Sequence, residues 1–449
     1  MNNAEFIFSF LKKKGCSKVF SIVGGHAMHL NAAQHKIYNR DVIYFHNEQS
    51  LSLAADSYSR IICKPSIVSV TSGPAALNCL NGVLGAYIDN IPLIIISGQP
   101  RTSLCANKIN KNLRQYGDQE FSRITDVVNK IVKSTKQLNI NSNIEYEISK
   151  IYDQAISGRP GPIWVDVPID VQKQKFIKSS KKNLFFNSQN KKVNRLNLNT
   201  KIKLILKKLK ASKRPIIYAG TDISTFNCKK IFQKLVGKIN IPVVTEWNAH
   251  DLTEEKSNLY VGRPGLRGNR KGNIVVYKSD LIISIGSNLS VRQVGDIKNM
   301  FSPNSYKIMI NIDKDEINKP NLKINLPIKS DIKYFIEEFN NKLRKKNKTN
   351  LDWIKWCNSL DEKLRPYDKY IDTNKINPYN AIDIVYKKLP KNKVTVVGNG
   401  FSVVGSFQKA LIKKNDILFQ NVGCASMGYD IPASIGASFA TQKLKSNKK

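Results

Sequence analysis

Short apolar runs recur along the chain, each closed by glycine, proline or a small polar residue and followed by a longer stretch of helical period. Residues 19–23 lead into Gly24-Gly25, 42–45 into the small-residue helical stretch 50–60, 66–70 into Thr71-Ser72-Gly73-Pro74, and 92–97 into Gly98-Gln99-Pro100. The alternation predicts βαβ units on parallel sheets, which place ligands at the carboxyl ends of the strands. Polar residues dominate 178–192, and the spacing predicts a linker there. A second block has strands at 215–218, 242–245, 281–285 and 307–312, then a charged helix over 333–348. A third has strands at 393–397 and 416–420. The expected architecture is α/β: three doubly wound parallel-sheet domains, at residues 1–175, 190–345 and 370–449, the last incomplete.

At 449 residues the chain can hold two or three cores. Its hydrophobic content, 41%, is ordinary for a folded protein. No apolar run approaches the length that spans a bilayer. The first residues, Phe6-Ile7-Phe8-Ser9-Phe10-Leu11 followed by three lysines, read as an amphipathic helix and not as a signal peptide, so a cytoplasmic protein is expected. Net charge is +38, but the lysines are dispersed and no nucleic-acid-binding module accompanies them. No nucleic-acid or membrane partner is expected. The seven cysteines are scattered without a CxxC pair, which predicts free thiols. His26 and His29 lack a third ligand, so no metal residue is assigned. Gly398-Asn399-Gly400 with Gly405 does not have dinucleotide-binding spacing.

Glu48 is the first candidate for chemistry. A carboxylate between a strand end and a helix start is rigidly held and partly desolvated, as proton exchange near neutral pH requires. Taken alone it could equally serve the helix dipole. The wider context comprises Thr71-Ser72-Gly73-Pro74 with Asn78, Gly98-Gln99-Pro100, Asp118-Gln119-Glu120-Phe121, and Arg159 to Pro168. In this order the segments closely resemble the pyrimidine-binding domain of thiamine-diphosphate enzymes of the acetolactate synthase and 2-oxoacid decarboxylase family.

The resemblance implies a site shared between subunits, hence a homodimer or homotetramer. Glu48 matches the glutamate that hydrogen-bonds the aminopyrimidine and drives proton removal from the thiazolium carbon. Pro74 and Asn78 match residues around the pyrimidine, and Gln119 one near the reacting carbon. Gly24 and Gly25 match a loop that lets backbone approach the cofactor. Val397, Gly398, Asn399 and Gly400 match the loop that reaches the diphosphate. Met427, within Gly423 to Pro432, matches the apolar wedge that bends the cofactor.

The family's next strand ends in a Gly-Asp-Gly that binds Mg²⁺, and this sequence has none. The expectation is a fragment of a longer protein whose isolated 449 residues are inactive. Acetolactate synthases carry FAD in the central domain. Gly262-Arg263-Pro264-Gly265-Leu266-Arg267-Gly268-Asn269 is similar to part of that region, whereas Ser287 to Arg292 departs from it, and FAD is left open. The implied activity is carboligation, in which a 2-oxoacid such as pyruvate is decarboxylated and its acyl carbon joined to a carbonyl acceptor. The alternatives are a decarboxylase releasing aldehyde and a non-catalytic homologue.

Overall fold

The computed structural model describes residues 1–178, 195–297, 300–320, 322–343, 350–364 and 374–446. The proposed linker, apart from its first residue, and the end of the charged helix lie outside these. The chain divides into two compact units, residues 1–190 with 421–449, and residues 191–420.

The first unit is built on six parallel strands: β1 (Val19–Ser21), β2 (Val42–Tyr44), β3 (Ser66–Val70), β4 (Leu93–Gln99), β5 (Thr135–Gln137) and β6 (Ile163–Pro168). They lie in the order β2-β1-β3-β4-β6-β5, all parallel. Alternation along β4 explains why the sheet is covered on both faces. Ile94 and Ile96 join one buried cluster, with Phe8, Leu11 and Ile148. Leu93 and Ile95 join another, with Leu51, Tyr58 and Trp164. The amphipathic N-terminal helix forms over Asn3–Lys13, capped by Asn2 and Glu5.

The helix Asp430–Ser446 packs along the helix Glu48–Ile62 within this unit. A Cβ on Gly436 would lie 2.0 Å from the carbonyl oxygen of Ala54, so only glycine permits this approach. Ser57 Oγ donates to the Ala433 carbonyl at 2.6 Å, and Tyr429 Oη to Asp56 Oδ2 at 2.7 Å. Arg60 joins Asp56 to Asp89, which also accepts from Gly423 N–H.

The second unit has strands β7 (Pro215–Ala219), β8 (Val243–Thr245), β9 (Tyr260–Gly262), β10 (Leu281–Ile285), β11 (Tyr306–Asn311) and β12 (Leu326–Lys329). Their order is β12-β11-β10-β7-β8-β9, again parallel. A parallel pair, β13 (Val394–Val396) and β14 (Ile417–Phe419), also belongs here with the helices Pro378–Lys388 and Phe401–Lys409. Phe407 is gripped edge-on by Trp247 and His250, both at 5.0 Å between ring centroids. Asn248 exchanges two hydrogen bonds with the Gln420 backbone. Residues proposed for a third domain therefore divide between the two units.

Candidate active site

The order of the first sheet reverses between β1 and β3, the position where open α/β sheets bind ligands. The segments after β1, β2 and β3 carry Gly24, Gly25, Glu48, Pro74 and Asn78. Gly24, after β1, touches the loop after β3: a Cβ there would meet Thr71 Cβ at 2.5 Å. Gly25 faces open space.

Glu48 is the first residue of the helix Glu48–Ile62, with Asn47 as its cap accepting from Ser50 N–H at 2.9 Å. The carboxylate thus lies at a helix N-terminus, where the dipole holds negative charge. Asn78 Nδ2 donates to Glu48 Oε2 at 3.0 Å. Asn78 closes the short helix Pro74–Asn78, in which proline occupies the first turn and needs no N–H partner. Gly73 precedes it at φ +61, and its missing Cβ would sit 2.5 Å from the Gln119 carbonyl oxygen.

Gln119 is itself in left-handed backbone at φ +50, exposed, with its carbonyl fixed by Ser72 Oγ at 3.0 Å. Ser72 Oγ also lies 2.6 Å from His26 Nδ1. The hydroxyl has one proton and spends it on Gln119, so His26 donates from Nδ1 and leaves Nε2 as an acceptor. Burial holds the imidazole below its ordinary pKa, against the pull of Asp118, which favours this neutral form. Sequence reasoning missed this His26–Ser72–Gln119 chain. It also missed Glu120, a buried carboxylate that accepts N–H groups from Ala106, Tyr116 and Ser122 at 2.7–3.1 Å and so shapes the loop carrying Gln119. The run Asp118-Gln119-Glu120 was the available signal.

Met427 is 84% exposed, on a loop tied to Asn81 and Asp89 through Ser426 and Gly423. Val397, Gly398, Asn399 and Gly400 belong to the other unit. Val397 extends β13 by donating to the Phe419 carbonyl at 3.2 Å, and Gly400 (φ +84) caps the helix Phe401–Lys409 with open space before it. The structure therefore brings Glu48, Asn78, Pro74, Gly24, Gly25 and Gln119 to one end of one sheet. It holds the 397–400 loop at the end of β13.

In the first unit the Glu48–Asn78 pair, with open space at Gly25, suits an aminopyrimidine; in the second, the open helix start at Gly400 suits a diphosphate. They do not extend to a metal. Among the described residues no three His, Cys, Asp or Glu side chains are placed to share an ion.

Residues 1–124 match the thiamine pyrophosphate enzyme N-terminal TPP binding domain, and residues 202–339 match the thiamine pyrophosphate enzyme central domain. The acetolactate synthase large subunit of Buchnera aphidicola subsp. Acyrthosiphon pisum is 29% identical over 461 residues, covering 99% of this chain and 76% of that protein. The probable acetolactate synthase large subunit of Methanococcus aeolicus is 30% identical over 470 residues, covering 99% and 75%. That of Lactococcus lactis subsp. lactis is 28% identical over 444 residues, covering 98% and 74%. With its two matched domains, and with relatives aligned across nearly its whole length, the chain belongs to the thiamine-diphosphate-dependent enzymes of the acetolactate synthase and 2-oxoacid decarboxylase family.

Proposed function

We propose that the protein is a thiamine-diphosphate-dependent carboligase that decarboxylates a 2-oxoacid such as pyruvate and joins the acyl carbon to a carbonyl acceptor. The observation that carries this reading is the Glu48 carboxylate at a helix start, oriented by Asn78 at 3.0 Å. When bound, thiamine diphosphate supplies the electron sink for the pair released by decarboxylation. Glu48 holds and returns a proton at the pyrimidine ring, and Asn78 fixes which carboxylate oxygen faces it. The His26–Ser72 link holds the Gln119 carbonyl, and with it the loop nearest the reacting carbon. The free N–H groups of the first turn of Phe401–Lys409 suit a diphosphate.

The second sheet supports a reading without FAD. Its order reverses between β7 and β10, and the crevice there is already filled. A Cβ on Gly220 would lie 2.1 Å from the Gly286 carbonyl oxygen. The buried Glu246 carboxyl takes the Thr221 N–H at 2.6 Å, the Thr221 hydroxyl, and the Ser287 hydroxyl. Donors that would cradle a phosphate are spent on the protein's own acid.

Turnover is expected only when metal ligands come from outside the described residues, because magnesium requires several hard oxygen ligands. The rest of the expected setting is a cytoplasmic homodimer or homotetramer. No described helix is long and apolar enough to cross a membrane. Glu48→Gln should slow deuterium exchange at the thiazolium C2 of bound thiamine diphosphate by roughly 100-fold or more, read by NMR. An unchanged exchange rate would overturn the reading. With pyruvate alone, the active enzyme should yield acetolactate, whereas acetaldehyde would favour the decarboxylase.

A further inference from the structure

We propose that Arg263 is a positioning residue for the 397–400 loop, acting through the helix Phe401–Lys409. This rests on the reading of that loop as the diphosphate-binding element. Arg263 is 1% exposed, and its guanidinium is spread over five hydrogen bonds. Nε donates to Tyr260 Oη at 2.7 Å. One terminal nitrogen donates to the carbonyls of Ser406 and Phe407 at 3.4 and 3.2 Å. The other donates to the Ala410 carbonyl at 2.6 Å and to Glu255 Oε2 at 2.7 Å.

The Phe407 and Ala410 carbonyls are orphan acceptors at the C-terminal end of Phe401–Lys409, and the Ser406 carbonyl beside them also accepts the Ala410 N–H at 2.8 Å. A cation buried there satisfies them and complements the negative end of the helix dipole. The opposite end, about 13 Å away for nine residues at helical rise, begins at Gly400. Ser402 Oγ ties that end to the loop by sharing its one proton between the carbonyls of Gly398 and Asn399, at 2.8 and 3.0 Å. A short rigid helix held at one end by a planar fork fixes both the tilt and the rotation of the N–H groups at the other. Phe407, wedged between Trp247 and His250, prevents sliding but does not by itself satisfy the carbonyls.

Lysine cannot reproduce the fork: an ammonium is a point donor and reaches fewer of these acceptors. The test is hydrogen–deuterium exchange by mass spectrometry on the 449-residue chain, comparing Arg263→Met and Arg263→Lys with the natural protein. The expected result is at least about tenfold faster exchange in the peptide spanning 398–404 in Arg263→Met, an intermediate rate in Arg263→Lys, and unchanged exchange in β7 and β10. If Arg263→Met does not fold, Arg263→Lys carries the comparison. Unchanged exchange at 398–404 in a folded variant would overturn the proposal, as would acceleration spread evenly over the whole unit.

Calorimetric titration adds a readout that general loosening would not give. Affinity for thiamine diphosphate should fall roughly tenfold in Arg263→Met, while affinity for thiamine, which lacks the diphosphate, changes less than about twofold. Equal losses for both would contradict a role at the diphosphate. Failure of the natural chain to bind thiamine diphosphate would count against the proposed function, and the exchange result would still decide the role of Arg263.

Discussion

The side-chain amide of Asn78 lies 3.0 Å from Oε2 of Glu48 and donates to it, although the two residues belong to helices that follow different strands. In the proposed function the second carboxylate oxygen of Glu48 is the one that meets the pyrimidine. Asn78→Ala removes one charge-assisted hydrogen bond at a partly exposed site. The expected effect is a loss of about 1 kcal/mol of orientation, or roughly a fivefold slower C2 exchange of bound thiamine diphosphate. Exchange rates indistinguishable from the natural protein would show that the amide does not orient the carboxylate.

Gly73→Ala tests how the loops after β3 and β4 are locked together. The residue sits at φ +61, and an added methyl would come within 2.5 Å of the Gln119 carbonyl, a backbone atom with little room to retreat. The strain should cost roughly 1–3 kcal/mol in urea unfolding of the first unit. It should also raise exchange in residues 115–120. A neutral effect on both would mean that the two loops move apart freely.

The packing of Asp430–Ser446 on Glu48–Ile62 depends on small contacts. Tyr429→Phe deletes the hydroxyl that donates to the fully buried Asp56 and leaves that carboxylate short of a partner. A loss of about 1–3 kcal/mol is expected by denaturant unfolding. Gly436→Val, which would force a side chain against the Ala54 carbonyl, should release the C-terminal helix from protection in hydrogen exchange. Full protection in Gly436→Val would contradict the observed approach.

Stability should vary with pH in opposite senses around two kinds of buried group. Burial pushes Asp166 up to about 7, against the hydrogen bonds from Ser97 and Gln137 that pull it down. Gln99 pulls in the same direction as Ser97 and Gln137. The unfolded chain releases this proton near pH ~4. Between there and pH 7 the folded state holds more protons, so this contribution declines as pH rises. Glu246, also raised to about 7 by burial, acts in the same sense. His250 acts oppositely: burial and the Arg263 charge hold it well below its ordinary value, so stability falls as pH drops below ~6.5, where the unfolded imidazole protonates. Asp166→Asn, a neutral mimic of the protonated acid, should flatten the decline between pH 4.5 and 7.5 in urea titrations of the first unit. An unchanged slope would place the charge dependence elsewhere.

The strands were legible because their apolar runs are short and end in glycine or proline. The spans 66–70 and 281–285 were read to the residue, and 92–97 extends to Gln99 because Gly98 and Gln99 keep pairing with β6. The short edge strands Thr135–Gln137 and Leu326–Lys329 escaped notice. Thr135–Gln137 is polar and only partly buried, and Leu326–Lys329 is four residues interrupted by Pro327 with only Ile328 buried, so neither carries an apolar run to read. Of the candidate site, the residues on loops after strands could be listed, but not their mutual contacts. Ser72 and His26 are ordinary residues until the β1 and β3 loops meet. Asp166 and Glu246 are acids inside or just after apolar strands. That placement marks burial, yet it says nothing of the hydroxyl and amide partners that make burial tolerable.

The most direct test of the account is calorimetric titration of the 449-residue chain with thiamine diphosphate, with and without Mg²⁺, alongside Glu48→Gln. Saturable binding that weakens in Glu48→Gln is the predicted result. No binding at all, or binding indifferent to Glu48, would contradict the claim that the end of the first sheet holds the cofactor.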